Sequence, residues 1–209
     1  MNRKGLLLLT LFCIAGSWQT GMAEEQFGLR VGTARMMSVF GSRNDSTKMT
    51  DYLNPGMTYS FSIVHRFSPY YSVEVGADIG WMPVDEQYRQ EPGKEPVFFY
   101  PRIYFSNLIS FPWKRLHPYL RLGVSIAPWR ITQDGPGGDA MLFEGEKFQK
   151  VSFDLHAGLG LEFSLFSWLS VYGDGRLDVL FCRDAFFFGK GFTEQGILSF
   201  GAGILVYLF

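Results

Sequence analysis

Residues 151–165 read VSFDLHAGLGLEFSL, and this stretch decides the fold. Val151, Phe153, Leu155, Ala157, Leu159, Leu161, Phe163 and Leu165 are apolar. Ser152, Asp154, His156, Gly158, Gly160, Glu162 and Ser164, which sit between them, are polar or glycine. A period of two is that of a β-strand, whose successive side chains point to opposite faces. The segment is therefore a strand with one greasy and one polar side.

The same alternation recurs on both sides of it. Phe27, Leu29 and Val31 alternate with Gly28, Arg30 and Gly32. Further alternating runs cover 57–67, 71–81, 97–105, 120–126 and 169–179, and a last strand runs from about Gly196 to Phe209. This makes eight strands. The connections after the second, fourth and sixth are short, at Ser68-Pro69, about Ser110 to His117, and Phe166 to Trp168. Those after the first, third, fifth and seventh are long, about 40–55, 82–95, 129–148 and 182–195, and carry Gly, Pro, Asp, Asn and Lys. An up-and-down meander then gathers every long loop on one rim and both termini on the other.

The first 23 residues stand apart. Arg3 and Lys4 precede an apolar run from Gly5 to Ile14, and Gly21-Met22-Ala23 offers small residues before a cut. This is the layout of a secretory signal peptide, which leaves residues 24–209 as a single domain. Removing it leaves 186 residues with a formal charge of −3, which argues against nucleic acid as a partner. It also removes Cys13, so Cys182 has no cysteine to pair with. Aromatics make up 17% of the chain, beside 24 glycines, a composition unlike that of a disordered chain. No stretch after Ala23 reaches the roughly 18 apolar residues of a membrane-spanning helix.

The charges decide which way the greasy side faces. None of the apolar-parity positions of the first seven strands is Asp, Glu, Lys or Arg. The opposite face carries Arg30, Arg66, Arg102, Arg121 and Arg176 against Glu74, Asp78, Asp154, Glu162, Asp174 and Asp178. Every cation there is arginine, while the lysines lie in loops or at strand ends. A confined interior favours the planar guanidinium, which pairs bidentately with carboxylates. The pattern predicts an all-β, closed, transmembrane up-and-down barrel with hydrocarbon outside and a plugged, salt-bridged lumen. Inward Gly28, Gly32, Gly76, Gly80, Gly123, Gly158 and Gly160 leave room for the long side chains.

Two aromatic belts are expected. Phe67, Tyr70, Tyr71, Phe111, Trp113, Tyr119, Phe166, Trp168, Tyr207 and Phe209 ring the short-turn rim, and Phe40, Trp81, Trp129, Phe148, Phe181 and Phe186–Phe188 ring the other. Two residues break the pattern. Pro101 sits inside the fourth strand, where a ladder tolerates it at a bulge or rim. Arg35 falls on the outward parity, so the first strand bulges or has left the bilayer there.

The terminal strand, Ser199-Phe-Gly-Ala-Gly-Ile-Leu-Val-Tyr-Leu-Phe209, and His117-Pro-Tyr-Leu-Arg-Leu-Gly123 carry a resemblance. With eight strands and alternating loop lengths, the whole mature chain resembles the small outer-membrane barrels of Gram-negative bacteria, of the OmpX, OmpA-transmembrane-domain and opacity-protein type. The resemblance implies that the termini are periplasmic. It also implies that the barrel-insertion machinery reads Tyr207 and Phe209, that outer-membrane lipid surrounds the barrel, and that the last strand, apolar on both sides, follows the family's facing.

Ser152, Asp154 and His156 share one inward face and suggest a hydrolase triad. However, residues two apart on a strand are separated by about 6.6 Å, well beyond the ~3 Å of a nucleophile–base contact. A lumen hydrogen-bond network is the expectation, with catalysis requiring partners from neighbouring strands. His65 and His117 belong to the rim. Asp134–Asp139 reads as a solvated turn, and no metal or cofactor is expected. Phe186, Phe187 and Phe188 could touch a surface or periplasmic protein partner. The functional expectation is a structural, surface-interaction or adhesion barrel. The alternatives are a lipid A-modifying enzyme, a narrow pore, or an accessory subunit of a secretion or assembly machine.

Overall fold

Eight antiparallel strands close on one another in sequence order: β1 Gln26–Phe40, β2 Gly56–Ser68, β3 Tyr71–Pro83, β4 Val97–Ser110, β5 Leu116–Ile131, β6 Gln149–Phe166, β7 Leu169–Phe181 and β8 Gln195–Leu208, with β8 pairing back onto β1. This is a computed structural model, and it describes residues 25–42, 47–143, 146–181 and 194–208. The expected signal peptide, Cys182, Phe186–Phe188 and Phe209 lie outside them. Among the described residues no helix is long and apolar enough to cross a membrane.

Strand register fixes the shape. From Gly28 on β1 the pairs run through Val64, Glu74, Ser106, Gly123, His156, Asp178 and Ile197, returning to β1 at Ser38, ten residues further along. Such a stagger tilts the strands by roughly 35–45° to the axis. A row of paired residues therefore climbs towards the long-loop rim as it passes from β1 to β2 and onward.

The outward face is apolar. Ile103 and Leu159 are 68% and 70% exposed, and Phe61, Val75, Ile126 and Ile204 also project outward. On the short-turn rim Phe27, His65, Phe67 and Tyr71 form a continuous row of rings, with centroids 4.2, 4.1 and 5.8 Å apart. On the other rim Tyr59 leans on Trp81 at 5.8 Å and Phe153 on Phe181 at 6.4 Å.

Four aromatics expected in the belts lie inside instead. Tyr119 and Tyr207 turn into the lumen, and Trp129 and Phe148 are buried at the outer mouth. Tyr119 and Trp129 share the parity of Arg121, so alternation along β5 carries them inward. Rim position alone does not make a ring face lipid.

The outer mouth is closed by an apolar stopper. Met36, Met82, Phe98, Trp129, Ile131, Leu180 and Ile197 project from the strands. Met49, Tyr52, Leu53 and Val84 fold in over them from two loops, and Phe148 packs against Trp129 at 5.8 Å. A single helical turn, α1 Met49–Tyr52, supplies two of these side chains. It is tied down by the Met49 N–H donating to the Gly41 carbonyl at 2.9 Å and the Asp85 N–H donating to the Tyr52 carbonyl at 2.9 Å. A second apolar cluster of Val64, Leu108, Tyr119, Tyr172, Leu205 and Tyr207 fills the short-turn end.

Strand register removes a bulge as the explanation of either sequence irregularity. Pro101 pairs with Ile79 on β3 without a bulge. Across the other edge the β4–β5 ladder keeps its register but skips residues 100–102. By that register Pro101 stands opposite Pro128. Neither has an N–H, so a reciprocal hydrogen-bonded pair is lost from both sides at once. Arg35 does not sit at a bulge either. It pairs in register with Phe200 and Met57, and β1 shifts register only between Ser38 and Phe40. Arg35 thus faces outward from an unbroken strand.

Candidate functional site

All eleven charged residues assigned to the lumen line it, and they fall into three tiers along the axis. The outermost is built on Arg102, whose guanidinium is fully enclosed. Its Nε and Nη2 donate to Asp78 Oδ2 at 2.8 and 2.7 Å, and its Nη1 donates to Asp178. Arg176 donates to the same Asp78 oxygen at 2.8 Å, and Tyr100 donates to Asp154 at 2.6 Å.

The middle tier pairs Arg121 with Glu74 at 2.8 Å and with Asp174 at 3.3 Å. Arg30 reaches Asp174 at 2.8 Å and also donates to the Tyr119 hydroxyl. Its guanidinium lies 3.5 Å from the centre of the Tyr172 ring. Ser62 and Tyr104 donate to the free side of Glu74 at 2.6 and 3.0 Å. In the innermost tier Arg66 holds Glu162 at 2.9 Å, stacks over Tyr207 at 4.5 Å, and shares Glu162 with the Tyr207 hydroxyl at 2.9 Å.

A buried ion pair stands only when its remaining lone pairs and protons are also satisfied. Tyrosines meet that need here. Tyr100, Tyr104, Tyr119 and Tyr207 each donate to a lumen carboxylate. Sequence reading found the charges and missed these partners, although inward parity marks Tyr100, Tyr104 and Tyr119; β8, apolar on both faces, gives Tyr207 no such mark.

The inward glycines also serve the tyrosines more than the arginines. A Cβ on Gly160 would meet the Tyr119 ring at 2.2 Å, and one on Gly76 would meet the Tyr104 ring at 2.7 Å. With this filling, the cavity beside Arg30, Glu74 and Arg176 is about 20 Å³, room for one water.

The serine–histidine expectation changes partner. Ser152 accepts from the Trp129 indole N–H at 2.9 Å, while His156 Nε2 lies 2.8 Å from Ser106 on β4. His156 Nδ1 stands 3.6 Å from Asp154 Oδ1. The Ser106–His156 distance suits a nucleophile and its base. Yet Ser106, Asp154 and the His156 ring are all sealed from solvent, so the three form an enclosed polar chain between β4 and β6. Asp154, His156 and Asp178 also bring three potential metal donors within 4.8 Å. The Arg102 guanidinium, bonded to Asp178 and 3.7 Å from Asp154, takes the place of a cation there.

At the rims, His65 stacks between Phe27 and Phe67, as an interfacial residue does. The Asp134 loop is a turn. Asp134 accepts from the Glu95 N–H at 3.0 Å, Gly135 adopts φ 57°, and the Gln133 N–H donates to the Asp139 carbonyl at 2.8 Å.

No family model and no curated protein matches the sequence. Among solved structures, the chain is similar to Neisserial surface protein A (NspA), with a TM-score of 0.55 and 14% identity over 86% of this chain and 96% of that one. It is also similar to the outer membrane protein OprG from Pseudomonas aeruginosa, with a TM-score of 0.51 and 12% identity over 88% and 95%. At such identities the likeness speaks to the fold: this chain has the closed eight-stranded barrel of small outer-membrane proteins.

Proposed function

We propose that this chain is an integral barrel of a Gram-negative outer membrane with a structural or surface-interaction role, acting through its long loops rather than through its lumen. One observation carries the reading. The outward face is apolar between two aromatic belts, while the lumen is occupied end to end by ion pairs, tyrosines and an apolar stopper. Lipid can cover such an outside, and neither solute nor substrate has room inside.

The rest of the proposal follows the same lines. Residues 1–23 direct export and are removed, the barrel-insertion machinery reads the terminal strand, and the termini remain periplasmic. A non-enzymatic role fits the enclosure of Ser106 and His156. Partner recognition then falls to the long loops, with Phe186, Phe187 and Phe188 as its sequence-based candidates.

Crosslinking in intact outer membranes tests the role. The native barrel is expected to capture a partner that a variant shortened within 182–195 loses. An unchanged partner set would contradict the assignment to that loop. Planar-bilayer recordings are expected to stay at background. Steady single-channel steps from the native protein would overturn the filled lumen.

A further inference from the structure

Among the described residues, Arg35 is the one formally charged side chain on the outward strand face between the aromatic belts. Arg130, the other outward-facing charge, lies near the end of β5, with its guanidinium 5.2 Å from the centre of the Phe99 ring. Arg35 is deeper. Its row runs Arg35, Met57, Trp81, Phe99, Arg130 across β1 to β5. Such rows climb towards the long-loop rim, so Arg35 lies below the level of Trp81, inside the apolar band.

Two other polar groups of this face find protein partners. Thr33 donates to the Thr58 carbonyl at 3.2 Å, and Tyr71 donates to Asn107 at 2.7 Å. Arg35 is exposed and forms no ion pair among the described residues. An unpaired guanidinium facing hydrocarbon is costly, and it relieves that cost by extending its stem towards the interface to meet an anion. Two side chains of the same outward face are suited to a headgroup. Tyr59, on the pair next to Arg35, and Trp81 stand ring to ring, and they bring a phenol and an indole N–H to the same side of the barrel.

We infer that Arg35, with Tyr59 and Trp81 beside it, forms a binding site on the outer wall for the phosphate of an outer-leaflet lipid headgroup. The proposal rests on the membrane reading above and deepens it. The membrane supplies the anion that the barrel itself does not, and the guanidinium contacts phosphate oxygens as a charge-assisted donor.

The test uses the mature barrel in phosphatidylcholine vesicles containing either lipid A or its dephosphorylated form, with the lipid retained per barrel measured after detergent extraction. The native protein is expected to retain several-fold more of the phosphorylated lipid. Arg35→Leu, which places an ordinary apolar residue on this face, is expected to insert normally and lose the preference, while Arg35→Lys keeps part of it. Equal retention of the two lipids by the native barrel, or an undiminished preference in Arg35→Leu, would overturn the site and leave the membrane reading standing. Failure of the native barrel to enter vesicles at all would overturn the membrane reading, and the site with it.

Discussion

Arg102 gathers Asp78 and Asp178 around one guanidinium, with Asp154 nearby, out of reach of water. Replacing it with leucine leaves carboxylates buried beside the single remaining cation of that tier, Arg176. Removing one partner of a buried pair costs about 3–5 kcal/mol. Arg102→Leu is therefore expected to lower the urea-unfolding free energy in lipid by that amount. Arg66→Ala is expected to cost less, because the Arg66 side chain, unlike that of Arg102, keeps part of its surface exposed at the short-turn end. Equal losses would contradict the tiered account. Gly160→Ala is expected to displace the Tyr119 ring and weaken the Arg30 and Asp174 contacts, seen as a lowered unfolding midpoint that Tyr119→Phe does not reproduce in full. At this scale the sequence showed the arginines and acids, because charge is conspicuous on a parity. The tyrosines were less legible. A phenol suits a membrane belt as well as a lumen, so rim position misleads for Tyr119 despite its parity, and for Tyr207 the doubly apolar β8 offers no parity to correct it.

The strands are legible in their number, order and facing, because one apolar side repeats along each. Their exceptions depend on the neighbouring strand. Pro101 is visible alone, but the ladder gap arises only because register sets Pro128 against it, and register is a property of the pair. Restoring both N–H groups with Pro101→Val and Pro128→Val is expected to add about 0.5–1.5 kcal/mol per recovered hydrogen bond. Either single variant restores one of the two donors and should give about half of the gain. Hydrogen exchange at residues 99–103 checks this, and unchanged protection in the double variant would mean that the prolines are not what opens the ladder. Ile103 lies on the outward face of the same strand. Ile103→Arg is expected to destabilise the barrel by about 2–4 kcal/mol in a bilayer, whereas an exposed residue of a water-soluble barrel would absorb the change almost freely. β8 was ambiguous in sequence because both of its faces are apolar. The structure turns Phe200, Ile204 and Leu208 outward and buries Leu205 and Tyr207, since the short-turn end of the lumen is itself apolar.

Over the whole molecule, the arrangement inverts that of a water-soluble barrel: hydrophobic outside, ionic along the lumen down to the Arg66–Glu162 pair, and capped by an apolar stopper at the long-loop mouth. Alternation and loop lengths foretold the inversion. The stopper was not foretold, because it joins side chains from several strands and three loops that are distant in sequence. Spin labels placed singly at every position from 151 to 165, in a Cys182→Ser background reconstituted in lipid vesicles, test the inversion most directly. Odd-numbered positions are expected to collide freely with membrane-dissolved oxygen, and even-numbered ones to be shielded from both oxygen and a water-soluble relaxation agent. Odd-numbered labels that meet the water-soluble agent instead, or a profile with no period of two, would contradict it.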